Sequence, residues 1–292
     1  MKFSGSIVPI VTPFKEGKVD YATLEKLIKF HINKGTNGFV PCGTTGESAT
    51  LSHEEHKEVV RFVIRCVAGR VPIVAGAGSN STAEALELAR YAESVGADAV
   101  LSITPYYNKP TQEGIYAHFS YIAQRVNLPI ILYNVPSRTG RNMEPATIAR
   151  MAEIKNIIGI KEASGDMQQV SEIIRLCGKD FTILCGEDAN LLPILSVGGA
   201  GAIAATANVA PTDVAALIRE FQAGHLEEAR KLHYKLLPLC GAMFMETNPA
   251  PAKEALYMMG LLPSSELRLP LVPLKDSSRE KLRSVLTEYG LL

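Results

Sequence analysis

The run Asn156-Ile-Ile-Gly-Ile-Lys161 ends on a charged side chain after four residues that read as strand interior. Period-two alternation places Ile157, Gly159 and Lys161 on one face and Ile158, Ile160 and Glu162 on the other. Small Gly159 then leaves room beside the amine. Exclusion of water disfavours an ammonium and favours the free amine, the nucleophile that turns a carbonyl into an imine. The competing structural reading is a strand-end lysine that reaches solvent or pairs with Glu162.

Two further segments carry groups suited to the same chemistry. In Gly38-Phe-Val-Pro-Cys-Gly-Thr-Thr-Gly-Glu-Ser48, Gly43 and Gly46 flank the hydroxyls of Thr44 and Thr45. Such a turn can aim backbone N–H groups at an anion, and without a P-loop lysine a carboxylate is a better guest than a nucleotide. In Tyr133-Asn-Val-Pro-Ser-Arg-Thr-Gly140 a phenol ends an apolar run, where it can carry a proton, and Arg138 can clamp a carboxylate through two N–H groups. Taken singly, Tyr133 reads as core packing, Arg138 as a surface charge and the glycine loop as an ordinary turn. Tyr106 and Tyr107 follow another apolar run and by themselves read as loop packing.

Other patterns are incomplete. Gly76-Ala-Gly78 lacks the third glycine of a dinucleotide fingerprint, and Gly198-Gly-Ala-Gly201 reads as close packing. His53-Glu-Glu-His56 lacks the spacing of a zinc helix, and no cysteine or carboxylate cluster completes a set, so no metal is expected.

These residues need a scaffold that brings several strand ends together. Short apolar runs at 6–11, 38–41, 71–75, 99–103, 129–133, 157–161, 181–185 and 201–205 are bounded by Gly, Pro, Asn or Asp. That is how parallel strands buried on both faces read. Helical patterns lie between them, at 21–34, 52–68, 82–95, 112–125, 145–153, 167–176, 190–197 and 212–223. Ser52 and Glu55 form a capping box, and Gly96 stops the third helix. Alternation at roughly 20- to 30-residue spacing predicts an α/β fold, a (β/α)8 TIM barrel. An open doubly wound sheet is the alternative, because periodicity does not close a barrel. Residues 1–224 are expected to form the barrel and 225–292 a C-terminal helical extension.

The bulk numbers narrow the class. Lys+Arg and Asp+Glu each total 30, so no basic excess points to nucleic acid. Five scattered cysteines, an odd number with no CxxC pair, fit a reducing, cytoplasmic compartment. The stretch between Asp188 and Asp213 carries no charge, yet its proline and glycines mark a helix, a turn and a buried strand rather than a membrane span. The N-terminus lacks the apolar core of a signal peptide.

Together, Gly43-Thr-Thr-Gly-Glu47, Tyr133-Asn-Val-Pro-Ser-Arg-Thr139 and Gly159-Ile-Lys-Glu-Ala163 resemble the dihydrodipicolinate synthase family, now called 4-hydroxy-tetrahydrodipicolinate synthase. The likeness runs through Thr206-Ala-Asn-Val and Asn248-Pro in the tail. It implies a lyase that condenses pyruvate with L-aspartate-4-semialdehyde, an early step toward diaminopimelate and lysine, through a Schiff base on Lys161 and without a cofactor. It further implies that Tyr133, Thr44 and Tyr107 relay protons, with Tyr107 supplied by a neighbouring subunit. Thr45 would hold the pyruvate carboxylate and Arg138 that of the semialdehyde, with backbone contacts at Gly186 and Ile203. Ser48, Ala49, His53, His56, Asn80, Glu84 and Tyr106 match an allosteric L-lysine pocket at a tight dimer interface, and the implied assembly is a homotetramer. The plainer reading of His53 and His56 is a solvated helix face. Relatives such as N-acetylneuraminate lyase usually have serine where Thr44 stands and no arginine at the Arg138 position. A non-catalytic small-molecule sensor, the alternative of another class, would not require Lys161, Tyr133 and Thr44 together.

Overall fold

The computed structural model of the protein describes residues 3–292. Its barrel strands are β1 Gly5–Val8, β2 Gly38–Phe39, β3 Val74–Gly76, β4 Ala99–Ile103, β5 Ile130–Asn134, β6 Ile157–Glu162, β7 Thr182–Cys185 and β8 Gly201–Ile203. They pair in parallel in the order β2-β1-β8-β7-β6-β5-β4-β3. The last seam closes through a parallel bridge between Phe39 and Ile73, with the Phe39 N–H donating to the Pro72 carbonyl at 3.0 Å. The open-sheet alternative is thereby excluded.

An outer helix follows each strand: α1 Tyr21–Asn33, α2 His53–Val67, α3 Thr82–Ser94, α4 Gln112–Ala123, α5 Pro145–Ala152, α6 Met167–Cys177, α7 Leu191–Ser196 and α8 Pro211–Gln222, and a short additional helix, Pro136–Thr139, carries Arg138 directly after β5. The capping box of α2 forms with both bonds in place, and Gly96 takes a left-handed φ of +86° just past α3. Three more helices, α9 Leu226–Met243, α10 Ala250–Met258 and α11 Asp276–Tyr289, follow the barrel. Among the described residues no helix is long and apolar enough to cross a membrane.

Two apolar layers result from the strand alternation. Ile7, Val40, Val74, Leu101, Ile131, Leu184 and Ile203 fill the barrel interior, while Val8, Phe39, Val100, Leu132, Ile160 and Ile183 pack outward under the helices. Pro9 within the first run ends β1 early, and Gly201 lets β8 approach it. A Cβ at Gly201 would lie 2.2 Å from the Gly5 carbonyl oxygen, so close packing is its role.

The alternation expected for β6 fails at its start. Ile130 pairs with Ile157 but Ile131 pairs with Gly159, so Ile158 is the extra residue of a β-bulge. Ile157 therefore packs outward and Ile158 inward, opposite to the simple count. Past the bulge the count recovers, and Lys161 stands in register between Tyr133 and Leu184, both of the interior cluster.

His31 on α1 is fully buried, and burial pushes its imidazole down to about 3; the same cause holds His118 of α4 at about 4. Both groups bind protons in the unfolded chain from about pH 6.5 downward, before they do in the fold. Stability is therefore complete above that pH and is lost as pH falls toward the folded values. Each such proton contributes about 1.4 kcal/mol per pH unit. His31→Phe, placed between Phe30 and Phe39, should accordingly reduce the acid loss between pH 6.5 and 4.5 by about 2–3 kcal/mol. Urea unfolding at the two pH values measures this, and an unchanged difference would exclude the assignment.

Candidate active site

The C-terminal ends of the strands surround a cavity of about 500 Å3, lined by Thr44, Thr45, Tyr133, Arg138, Lys161, Gly186 and Ile203, among others. All the residues expected to meet a substrate within one subunit are thus brought together. Lys161 is only 7% exposed, and its Nζ lies 4.3 Å from the centre of the Tyr133 ring. Neither solvent nor Glu162 receives it, which removes the plain structural reading.

Glu162 faces the opposite side of β6 and locks the strand ends. Its carboxylate accepts from Ser164 N at 2.7 Å, Asn134 Nδ2 at 3.0 Å and Gln169 Nε2 at 3.3 Å. Burial pushes this carboxyl up, and those donors oppose the rise. Asn134 and Glu162 are register partners directly after Tyr133 and Lys161, so the network fixes the spacing of the Tyr133 and Lys161 side chains. The Tyr133 carbonyl is held from the other side by the Thr104 N–H at 2.9 Å and the Thr104 hydroxyl at 3.1 Å.

Gly186 has a steric role that sequence reasoning did not assign. A Cβ there would lie 2.9 Å from both Cγ and Cε of Lys161 and 2.8 Å from the Ala163 Cβ. The bare backbone is what lets the lysine stem lie across it. Gly186→Ala should push Nζ out of line and lower kcat/KM about a hundredfold, the scale of a 1 Å misplacement. Steady-state kinetics on a variant with unchanged circular dichroism tests this, and a loss below threefold would count against it.

The loop after β2 carries Thr44 and Thr45. Neither Gly43 nor Gly46 is left-handed; Cys42 at φ +54° and Glu47 at φ +55° are. Gly46 is required for proximity instead, since a Cβ would sit 3.1 Å from the Cys42 nitrogen and the Ile10 oxygen. The Glu47 and Ser48 amides are used within the loop, donating to the Thr44 and Gly43 carbonyls. Among the described residues the Thr44 and Thr45 amides have no partner in the chain, so they remain available to an anion.

Several residues of the site were missed. Asp188, just past β7, is buried in the cavity wall and accepts from Thr206 N and Oγ1, both at 2.6 Å, and from Ala205 N at 3.2 Å. Burial pushes its carboxyl up, while the Thr206 donors and the charge of Lys161 pull it down. Its position after a barrel strand was the available signal. Phe244, Glu246, Thr247 and Asn248, between α9 and α10, close the cavity from the extension, and nothing local announces that.

A second cavity of about 420 Å3 adjoins the first and shares Thr44, Arg138, Thr247 and Asn248 with it. It collects Ser48, Ala49, His53, His56, Glu84 and Tyr106. Asn80 is not among its lining residues; its carbonyl accepts from Asn108 Nδ2 at 2.9 Å. His53 Nε2 meets Glu84 Oε1 at 2.7 Å, and Ser79 also donates to Glu84. His56 is buried, with its Nε2 2.8 Å from the Gly76 carbonyl, so the solvated-face reading fails for it. Tyr107 lies outside both cavities, 88% exposed and at φ +62°.

A chamber holding an amine, a phenol, two threonines and a guanidinium suits imine formation with an acid-bearing carbonyl compound. The model of the dihydrodipicolinate synthetase family matches residues 2–289. A protein of Thermodesulfovibrio yellowstonii named 4-hydroxy-tetrahydrodipicolinate synthase is 55% identical over 290 residues, covering 99% of each chain. Among solved structures, a chloride-inhibited dihydrodipicolinate synthase from Acinetobacter baumannii, complexed with pyruvate, matches with TM-score 0.97 and 46% identity over 100% of both chains. A dihydrodipicolinate synthase from Cyanidioschyzon merolae with lysine bound matches with TM-score 0.96 and 42% identity over 99% of both chains.

Proposed function

The chain belongs to the dihydrodipicolinate synthetase family, and on that premise we propose that it condenses pyruvate with L-aspartate-4-semialdehyde as a 4-hydroxy-tetrahydrodipicolinate synthase. The observation that carries the reading is the sheltered Lys161 amine against Tyr133, in one chamber with Thr44, Thr45 and Arg138.

The amine adds to C2 of pyruvate and water leaves, giving a protonated imine. That cation is the electron sink, so the reaction calls for no metal or organic cofactor. Loss of a methyl proton gives the enamine, whose carbon attacks the aldehyde of the semialdehyde. The semialdehyde's own amine then displaces Lys161, closing the ring and restoring the enzyme. Tyr133 and Thr44 carry protons in this scheme. The Thr45 hydroxyl and the free loop amides hold the pyruvate carboxylate, and Arg138 holds that of the second substrate.

Tyr107 completes the relay from the neighbouring subunit of a tight dimer, two of which form a tetramer. Its exposure on the isolated chain supports that role. Mixing Lys161→Ala with Tyr107→Phe chains tests it, because each mixed dimer holds one site with both native groups. Activity should rise at least fivefold above either parent after mixing and reassembly. A flat result would place Tyr107 outside the chemistry.

The second cavity is assigned to L-lysine as a feedback ligand, with the Glu84 carboxylate facing an ammonium and Tyr106 closing over it. A cytoplasmic biosynthetic role follows. The decisive assay couples product formation to the reductase that consumes it, with and without lysine. Product from pyruvate and the semialdehyde is expected, and lysine should slow it. Cleavage of sialic acid without condensation would favour an N-acetylneuraminate lyase instead.

A further inference from the structure

We propose that Asn248 is a positioning residue for the carboxylate grip: its amide turns the Thr45 hydroxyl proton toward the substrate. The inference rests on the reading that Thr45 holds the pyruvate carboxylate.

Asn248 lies between α9 and α10, buried, and lines both cavities. Its Nδ2 donates to Thr45 Oγ1 at 3.0 Å, across 203 residues of sequence. A hydroxyl has one proton to give and two lone pairs to offer. The amide occupies a lone pair, and among the described residues this hydroxyl has no other partner. Its proton is therefore left for a guest in the cavity. Were the amide reversed, Thr45 would spend that proton on Asn248 and meet a carboxylate with a lone pair. Asn248 thus decides whether Thr45 attracts an anion or repels it.

The pair is held from behind. Two residues past Thr45, Glu47 meets Lys253 of α10 at 2.5 Å, and both side chains are sealed from solvent. Thr12 also pins the loop, donating to the Gly46 carbonyl at 2.7 Å. The spacing between Thr45 and Asn248 is therefore set by two anchored segments. The Asn248 Oδ1 is buried and unpartnered among the described residues, so the bond to Thr45 is the one hydrogen bond this side-chain amide makes.

Asn248→Asp keeps the shape but offers only acceptors, so the Thr45 proton turns to it and away from the ligand. The expected result is a KM for pyruvate raised tenfold or more, with kcat at saturating pyruvate within threefold of the parent. The KM for the semialdehyde should move less than threefold. Asn248→Ala should raise the pyruvate KM in the same direction. In a Thr45→Val background Asn248→Ala should add less than twofold, because the two act as one unit.

A pyruvate KM unchanged within twofold in Asn248→Asp would reverse the direction of the bond and overturn the proposal. Full multiplication of the Thr45→Val and Asn248→Ala effects would overturn it too, as would a fall in kcat alone. Borohydride trapping on the parent enzyme separates the two levels. If the parent forms no pyruvate adduct, the reaction assigned above fails; if it does and the variants behave otherwise, only the role of Asn248 fails.

Discussion

Lys161→Ala is expected to abolish covalent capture of pyruvate and to lower kcat at least a thousandfold, about 4 kcal/mol of barrier. Lys161→Arg should fail as completely, because a guanidinium keeps its proton and cannot form the imine. The fold should survive both changes. The side chain lies over Gly186 and beside Tyr133 and has no ion pair among the described residues, so shortening it opens space in an existing cavity. Borohydride reduction in the presence of pyruvate, followed by peptide mass spectrometry, should mark Lys161 in the parent and nothing in either variant. An adduct on another lysine, or a tenfold loss only, would move the chemistry elsewhere.

The second large effect concerns stability. Lys253→Met should destabilise the protein by about 3–5 kcal/mol, the cost of leaving one member of a buried ion pair alone. Lys253 Nζ bridges Glu47 at 2.5 Å and the Glu266 carbonyl at 2.7 Å, over the ring of Phe14. Burial pushes its ammonium down to about 8, with the Glu47 charge opposing, so it remains mostly protonated at neutral pH. Without it, the Glu47 carboxylate keeps the Arg268 N–H at 3.2 Å but loses its counter-ion in a place water does not reach. A fall in Tm of about 5–10 °C is the expected reading. Removing both charges, with Lys253→Met and Glu47→Leu, should recover most of that loss, since apolar replacements of buried pairs are often neutral. If the double variant is no better than the single, the ion pair is not the source of the effect. Because Glu47 shares its loop with Thr44 and Thr45, the single variant should also bind pyruvate more weakly.

Much of the site could be read from the chain before any coordinates. Lys161 stood out because a charge ending an apolar strand is costly unless it is used. Tyr133 and the Thr44-Thr45 loop stood out because, in a barrel, residues after strands face one mouth. Asp188 obeys the same rule but reads only as the border of the uncharged stretch that follows it. The bulge at Ile158 was invisible, since nothing in Ile-Ile-Gly-Ile says which residue goes unpaired. Two glycines bracket the loop after β2, yet Cys42 and Glu47 take its left-handed turns. Their strain is offset by contacts, among them the ion pair to Lys253, which lies far along the chain.

Strand and helix periods, the alternation that makes a parallel barrel, and the strand-end amine that makes Lys161 a candidate are local properties, carried by spacing and by turn residues. They were therefore present in the order of the amino acids alone. Ring closure at Phe39 and Ile73, the grip of Asn248 on Thr45 and the pairing of Lys253 with Glu47 join distant segments. Those contacts exist only once the barrel has closed and the extension has packed across its mouth. No periodicity encodes them, because their geometry depends on the shape of everything between.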